Sequence, residues 1–153
     1  QSREHVAQLA ALAGHPGRGV ALLKRIDTAL AAAAPRAGTV PKSTVVWQSG
    51  GIVPGDNTLI VDLLRRTGFV SLTGKKGMKQ ADFLPLERML AEPPAVILAA
   101  GDAHSEEDRL LSHPALASLK DARRERLDPA LLWCGGPTII RAAHRLSQVR
   151  ESL

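Results

Sequence analysis

The run Pro94–Gly101, PAVILAAG, is apolar at every position. Strands that show no polar alternation are those covered on both faces, as in sheets packed between helices. A second run, Thr44–Gln48 (TVVWQ), is β-branched and aromatic and reads as another buried strand. A short third strand fits RERLD, Arg124–Asp128. Between these runs the apolar residues recur at helical spacing. In TLIVDLLRRTG, residues 58–68, Leu59, Leu63 and Leu64 face inward, Asp56 or Asn57 supplies the cap, and Gly68 closes the helix. Pro85 opens a short helix, PLERMLAE, with Leu86, Met89 and Leu90 inside. Residues His104–Leu111 and Pro114–Arg124 read as helical. The last helix starts at Pro137, with Ile139, Ala142, Leu146 and Val149 as its inner stripe. Strands alternating with helices predict an α/β three-layer sandwich with a mainly parallel sheet.

Two helices precede the first strand. SREHVAQLAALAG, residues 2–14, puts Val6, Leu9 and Leu12 on one face and ends at Gly14. RGVALLKRIDTALAAAA, residues 18–34, spaces Val20, Leu23, Ile26 and Leu30 along a long helix that Pro35 closes. A helix pair ahead of any strand is unusual for a self-contained fold of this class, and it reads as the tail of something larger. The chain also opens on Gln1 rather than Met, which suits a processed or excised piece.

The 153 residues suit one compact unit. With no Tyr, two Phe and two Trp, the core must come from Leu, Val, Ile and Ala, and each Trp is a noticeable choice. The net charge of +5 gathers in Lys75-Lys76 with Lys79 and in Arg123-Arg124 with Arg126. No aromatics interleave with these runs, so they fit solvated faces or attraction for a small anionic ligand better than a nucleic-acid surface. A single cysteine forbids an internal disulfide. No apolar run reaches the roughly 18–20 residues of a membrane span.

Three strand ends are built alike, with glycine following an apolar run: VVWQSGG, ILAAGD and LLWCGGP. Ligands of open parallel sheets sit beyond the carboxyl ends of the strands, and glycines there let them approach the backbone. The candidate contacts are Trp47, Gln48, Ser49, Gly50, Gly51, Gly101, Asp102, Trp133, Cys134 and Gly135. Trp47 and Trp133 would give a flat ligand flat apolar walls, each with a plain reading as core or surface ring beside it. Two chemical readings stay open here. Cys134, next to a helix start, could be a nucleophile, although none of the five His residues stands as its base. Gly135-Gly136 could cradle a phosphate, although no G-x-G-x-x-G follows the first strand and no GK[ST] occurs. No cofactor and no metal-ligand spacing is read from the chain. Glu87, in the first turn of its helix, suits the helix dipole and points toward solvent, as a docking carboxylate for an arginine pocket would.

Several stretches resemble one family. LPLERMLAEPPAVILAAG resembles the S-x-E-x-L-x-x-x-x-P-D-x-(I/V) pattern of substrate-binding proteins of ABC importers for siderophores, haem and cobalamin. VVWQSGGIVPGDNTLIVDLLRRTGF resembles the opening of their C-terminal lobe. LLSHPALASLKDARRERLDPALLWCGGPTIIRAAHRLSQ resembles the end of that lobe, and GHPGRGVALLKRIDTALAAA the stiff helix joining their two lobes. The resemblance covers nearly the whole chain in order. It implies an interlobe helical connector over 1–38 and a C-terminal α/β lobe over 39–153, with the N-terminal lobe absent. It implies capture of a metal chelate without chemistry, delivery to a membrane permease, a periplasmic or membrane-anchored extracytoplasmic location, and a monomer at full length. It also makes Glu87 the permease-docking residue. Two positions depart from the pattern: Pro85 stands where the family has serine, and Pro94-Ala95 where it has P-D. The absence of Tyr removes a tyrosine iron ligand from this half, leaving His104 as the one histidine near a cleft loop.

Overall fold

The computed structural model describes residues 2–75, 77, 78, 80–101, 113–117, 119–133 and 135–153. The helix expected over His104–Leu111 lies outside the described residues. Four strands, β1 (Lys42–Gln48), β3 (Phe69–Ser71), β5 (Val96–Ala100) and β6 (Arg123–Arg126), form one sheet in the order β3-β1-β5-β6. Every pairing in it is parallel. A small antiparallel ribbon pairs β2 (Ile52–Pro54) with β4 (Ala81–Phe83).

The apolar run does what its pattern requires. Val96, Leu98 and Ala100 enter one core cluster, with Val46 of β1, while Ile97 enters the other, with Val45 and Trp47. Successive side chains of a strand alternate between faces, so the two clusters are the two sides of one sheet. On the first side lie α2 (Pro16–Ala33), α3 (Leu59–Arg66) and α8 (Pro137–Glu151), through Ile26, Ile60, Leu63, Leu64, Ile139 and Leu146. On the second lie α5 (Leu86–Ala91) and α6 (Pro114–Ala117), through Leu86, Met89 and Leu116. This is the three-layer α/β sandwich with a long helix ahead of it.

Differences from the sequence reading have local causes. Besides the three expected strands the sheet holds a fourth, β3, next to β1 at the edge opposite β6 and too short at three residues to show a period. The helix expected over Pro114–Arg124 ends at Ala117, because Arg123 and Arg124 pair with Val96 and Ile97 as edge strand β6. α3 is capped at Thr58, whose hydroxyl donates back to the Gly55 carbonyl at 2.7 Å, rather than by Asp56 or Asn57. The buried face of α2 is Leu22, Ile26, Leu30 and Ala33, while Val20 is 68% exposed. A spacing of three drifts around a helix by about 60° per step, whereas steps of four and three hold one face. Val20 therefore turns away from α8.

α1 (Ser2–Leu12) folds back on α2. A Cβ at Gly19 would come within 2.5 Å of the Ala10 Cβ, so glycine permits this close crossing. Leu9 and Leu12, which share a face with Val6 in the sequence, are 66% and 85% exposed, and α1 packs chiefly on α2.

Arg150, in the last turn of α8, fixes the helix layer. Its Nη1 donates to the carbonyl of Ala33, at the end of α2, at 2.6 Å, and to that of Thr67, capping α3, at 2.9 Å. Helix C-termini carry orphan carbonyls and partial negative charge, so one cation satisfies two helix ends. At the sheet margin, Arg145 donates from Nη2 to the Arg126 carbonyl at 2.8 Å and to Glu125 at 2.9 Å, which blunts the open edge of β6.

Replacing Arg150 with Met should lower the unfolding free energy by about 2–4 kcal/mol, as two charge-assisted bonds to half-buried carbonyls are lost. Urea unfolding followed by circular dichroism reads this. A loss below roughly 0.5 kcal/mol would mean that water replaces the guanidinium.

Candidate functional site

A parallel sheet sends all its carboxyl ends to one side. At that edge β1 runs into a tight turn, Ser49–Gly51, β5 into Gly101, and β6 into the segment that carries α7 (Ala130–Trp133) and Gly136. Gly50 and Gly51 have φ of +70° and +82°, consecutive left-handed residues that L side chains rarely adopt. Gln48 is opposite Ala100 in register, so the Ser49–Gly51 turn and Gly101 leave adjacent strands side by side. Gln48, Ser49 and Gly101 are half-buried, and Gly50 and Gly135 are exposed. Asp102, Cys134 and His104 lie outside the described residues.

The two tryptophans part company. Trp133 is 73% exposed at the end of α7, available to a ligand. Trp47 is 0% exposed, packed with Val45, Val53, Leu84, Met89 and Ile97. The expectation of Trp47 as a flat wall for a ligand is corrected: β1 is covered on both faces, and the ring lies under the β2–β4 ribbon and α5 with Val53, Leu84 and Met89. A different aromatic occupies the edge. Ile52 and Phe83 are directly opposite each other in the β2–β4 ribbon, which leaves the carboxyl end of β1 through the glycine turn. They are 45% and 53% exposed. Residues directly opposite in a ladder project from the same face, so the ribbon presents one apolar patch. The Phe83 ring lies against Gly51, where an added Cβ would meet its Cε2 at 2.7 Å. Sequence reasoning passes over Phe83 because its strand is three residues long. Its rarity, one of two Phe in the chain, is the available signal.

Glu87 is exposed in the first turn of α5, with Leu86 and Met89 buried beneath it. α5 leads from the ribbon to the start of β5, so its first turn belongs to the end of the layer nearer the carboxyl edge. His5, His113 and His144 are exposed on or beside helices, and His15 stands at the N-cap of α2. Among the described residues no three His, Cys, Asp or Glu gather as a metal site, and no helix is long and apolar enough to cross a membrane.

A parallel sheet with glycine-rich carboxyl-edge turns, and no reactive constellation assembled among the described residues, is suited to holding a ligand. Residues 1–127 match the sequence profile of the family described as "Periplasmic binding protein". The chain belongs to the periplasmic binding protein family. Its fold is similar to that of the periplasmic heme-binding protein RhuT from Roseiflexus sp. RS-1, with a TM-score of 0.77 and 26% identity over 95% of this chain and 60% of that one. It is likewise similar to a periplasmic heme binding protein from Pseudomonas aeruginosa, with a TM-score of 0.72 and 26% identity over 96% of this chain and 58% of that one. An ABC-type Fe3+-hydroxamate transport system protein from Saccharomonospora viridis shares the fold at a TM-score of 0.77 and 18% identity, over 97% of this chain and 54% of that one. This binding protein thus spans somewhat over half the length of the solved chains it matches. No curated protein matches it.

The β6 corner of this periplasmic binding protein carries its clearest electrostatic feature. Glu125 accepts from Arg123 Nε at 3.0 Å and from Arg145 Nη2 at 2.9 Å. The Arg123 hydrogen bond holds its carboxyl below the usual carboxylate range against the opposing effect of partial burial, and Arg145 adds to the lowering. A depressed folded-state value stabilises the fold above the ordinary carboxylate range, and that stabilisation is lost as pH falls through the folded value. Glu125→Gln should therefore weaken the protein at neutral pH and flatten its loss of stability between about pH 5 and 3. Urea midpoints across that range provide the reading; parallel wild-type and variant curves would mean that the pair contributes nothing.

Proposed function

We propose that this chain is the C-terminal lobe, with its connector helices, of the substrate-binding component of an ABC importer, and that it captures a flat metal chelate. The observation that carries the reading is the likeness over 95% of the chain to a heme-binding protein of the same family, with the apolar residues of the carboxyl edge left uncovered. Haem stands first among the candidate ligands, since both solved proteins at 26% identity are heme-binding proteins; a ferric siderophore or a cobalamin-like corrinoid shares the same large, partly flat surface. Phe83, Ile52 and Trp133 supply flat apolar contact, and Gln48, Ser49 and the amides of Gly50, Gly51, Gly101 and Gly135 fix polar groups. With no Tyr in the chain, this lobe grips the ligand by its faces and edges rather than by a tyrosine bond to the metal.

The other lobe covers the α1–α2 hairpin. Leu9, Leu12 and Val20 of this hairpin are exposed apolar side chains, and the solved relatives are longer than this chain by enough for a second lobe. Residues 1–38 then act as the stiff connector and residues 39–153 as the lobe, a monomer at full length. α2 is packed into the lobe's core, so closure around a ligand is small. Glu87 seats on an arginine pocket of the membrane permease, which sets the location as periplasmic or membrane-anchored outside the cytoplasm. Binding and release involve no covalent step, no resident cofactor and no nucleic acid.

In the complete polypeptide, Phe83→Ala and Trp133→Ala should each weaken hemin binding by about 5–20-fold, read by absorbance titration. Unchanged affinity in both would remove the carboxyl edge as the ligand wall. Glu87→Ala should leave affinity within about 2-fold while uptake into cells falls by roughly an order of magnitude. Normal uptake with weakened binding would reverse the role given to Glu87.

A further inference from the structure

Among the described residues, the buried polar groups of the core are satisfied with one exception. Thr44 donates to the Val96 carbonyl, Thr67 to Leu63, Thr73 to Pro54, and Ser71 pairs with the Thr73 hydroxyl. Trp47 Nε1, in a ring that is 0% exposed, has no partner among the described residues. A buried N–H without an acceptor is among the most unfavourable groups a core can hold, and a Phe or Leu would fill the same space without one.

Its position gives it a use. Trp47 Nε1 lies 3.3 Å from where a Cβ at Gly51 would stand, and the Phe83 ring edge lies 2.7 Å from the same point. The donor, the bare glycine and the ring converge at the turn where β1 leaves the sheet. Of the three, Phe83 is the one open to solvent, on a strand three residues long.

We propose that Trp47 Nε1 is a latent donor of the ligand edge, uncovered when Phe83 turns away from Gly51, and that it takes an acceptor oxygen, carboxylate or carbonyl, of the bound chelate. This rests on the reading of the chain as a chelate-binding lobe. The closed state hides the donor from water, and the ligand's oxygen has no competing hydrogen bond to displace. The N–H thus selects for ligands with an oxygen at that corner and rejects purely apolar ones. Phe83 serves as cover in the free protein and as flat contact in the complex.

The test uses the complete polypeptide with Trp133→Phe, in which Trp47 is replaced by 3-benzothienylalanine, the same ring shape with sulfur in place of N–H. The probe is gallium protoporphyrin, diamagnetic and bearing two carboxylates. Loss of the N–H should weaken probe binding by about 5–20-fold and raise the melting temperature of the free protein, since it removes a buried donor that nothing accepts before binding. In the 15N-tryptophan-labelled protein, the Trp47 indole proton should shift downfield on saturation, and Phe83→Ala should speed its exchange with solvent at least tenfold in the free state. A lowered melting temperature in the isostere would show that the N–H already has a partner, such as the Phe83 ring face, and would overturn the proposal. So would tight probe binding with an unmoved indole signal, which leaves the chelate-binding reading standing. Failure of the Trp47-containing protein to bind this probe, hemin, a ferric hydroxamate or cobalamin overturns that reading and this one together.

Discussion

One guanidinium holds the helix layer to itself. α2, α3 and α8 pack as an apolar layer, whose interdigitated side chains set part of their axial register. Arg150 fixes the rest by reaching the carbonyl ends of two helices from the last turn of the third. Both acceptors sit at helix C-termini, where partial negative charge gathers, so the pairing is electrostatic as well as geometric. Because one of those ends belongs to α2, that helix is fastened to the sandwich rather than merely leaning on it.

The same economy governs the carboxyl edge of the sheet. Parallel strands deliver their carboxyl ends to one side, and two left-handed glycines let β1 turn off the sheet into the ribbon without a side chain in the way. What reaches solvent there is decided by which strands are covered: β1 lies under helices on both faces, while all three residues of β4 are exposed. The ring at position 47 goes inside and the ring at position 83 goes outside, although residue type alone favours the first as a ligand contact. Burial of Trp47 anchors the second core cluster; exposure of Phe83 and Ile52 leaves an apolar surface open at the edge.

Much of this is legible in the residues. PAVILAAG announces a strand covered on both sides, and the final helix carries its stripe of Ile139, Ala142, Leu146 and Val149 in plain sight, all four buried. The glycine-bearing ends of β1 and β5 locate the edge, whereas LLWCGGP, expected as a third strand end, follows the short helix α7 instead. Less visible are the elements too short to display a period, β2, β3 and β4, since three residues cannot distinguish alternation from accident. The inner face of α2 differs from its expected stripe because alanine-rich sequence offers many equivalent stripes, and only the partner helix decides among them. Trp47 escapes sequence reasoning for a related reason. A residue's type says that it should pack or stack, but which it does depends on what covers its strand, and positions 45, 46 and 47 are all buried because β1 is covered on both faces.

The last strand of the sheet has a consequence for solubility. β6 reads Arg-Arg-Glu-Arg, and its outer carbonyl at Arg126 is already taken by Arg145. An unpaired strand margin is normally an invitation to other chains, and in a crowded compartment such invitations end in fibres. Here the margin is short, charged at every residue and capped from within its own fold, so a passing chain finds repulsion and an occupied acceptor instead of a template.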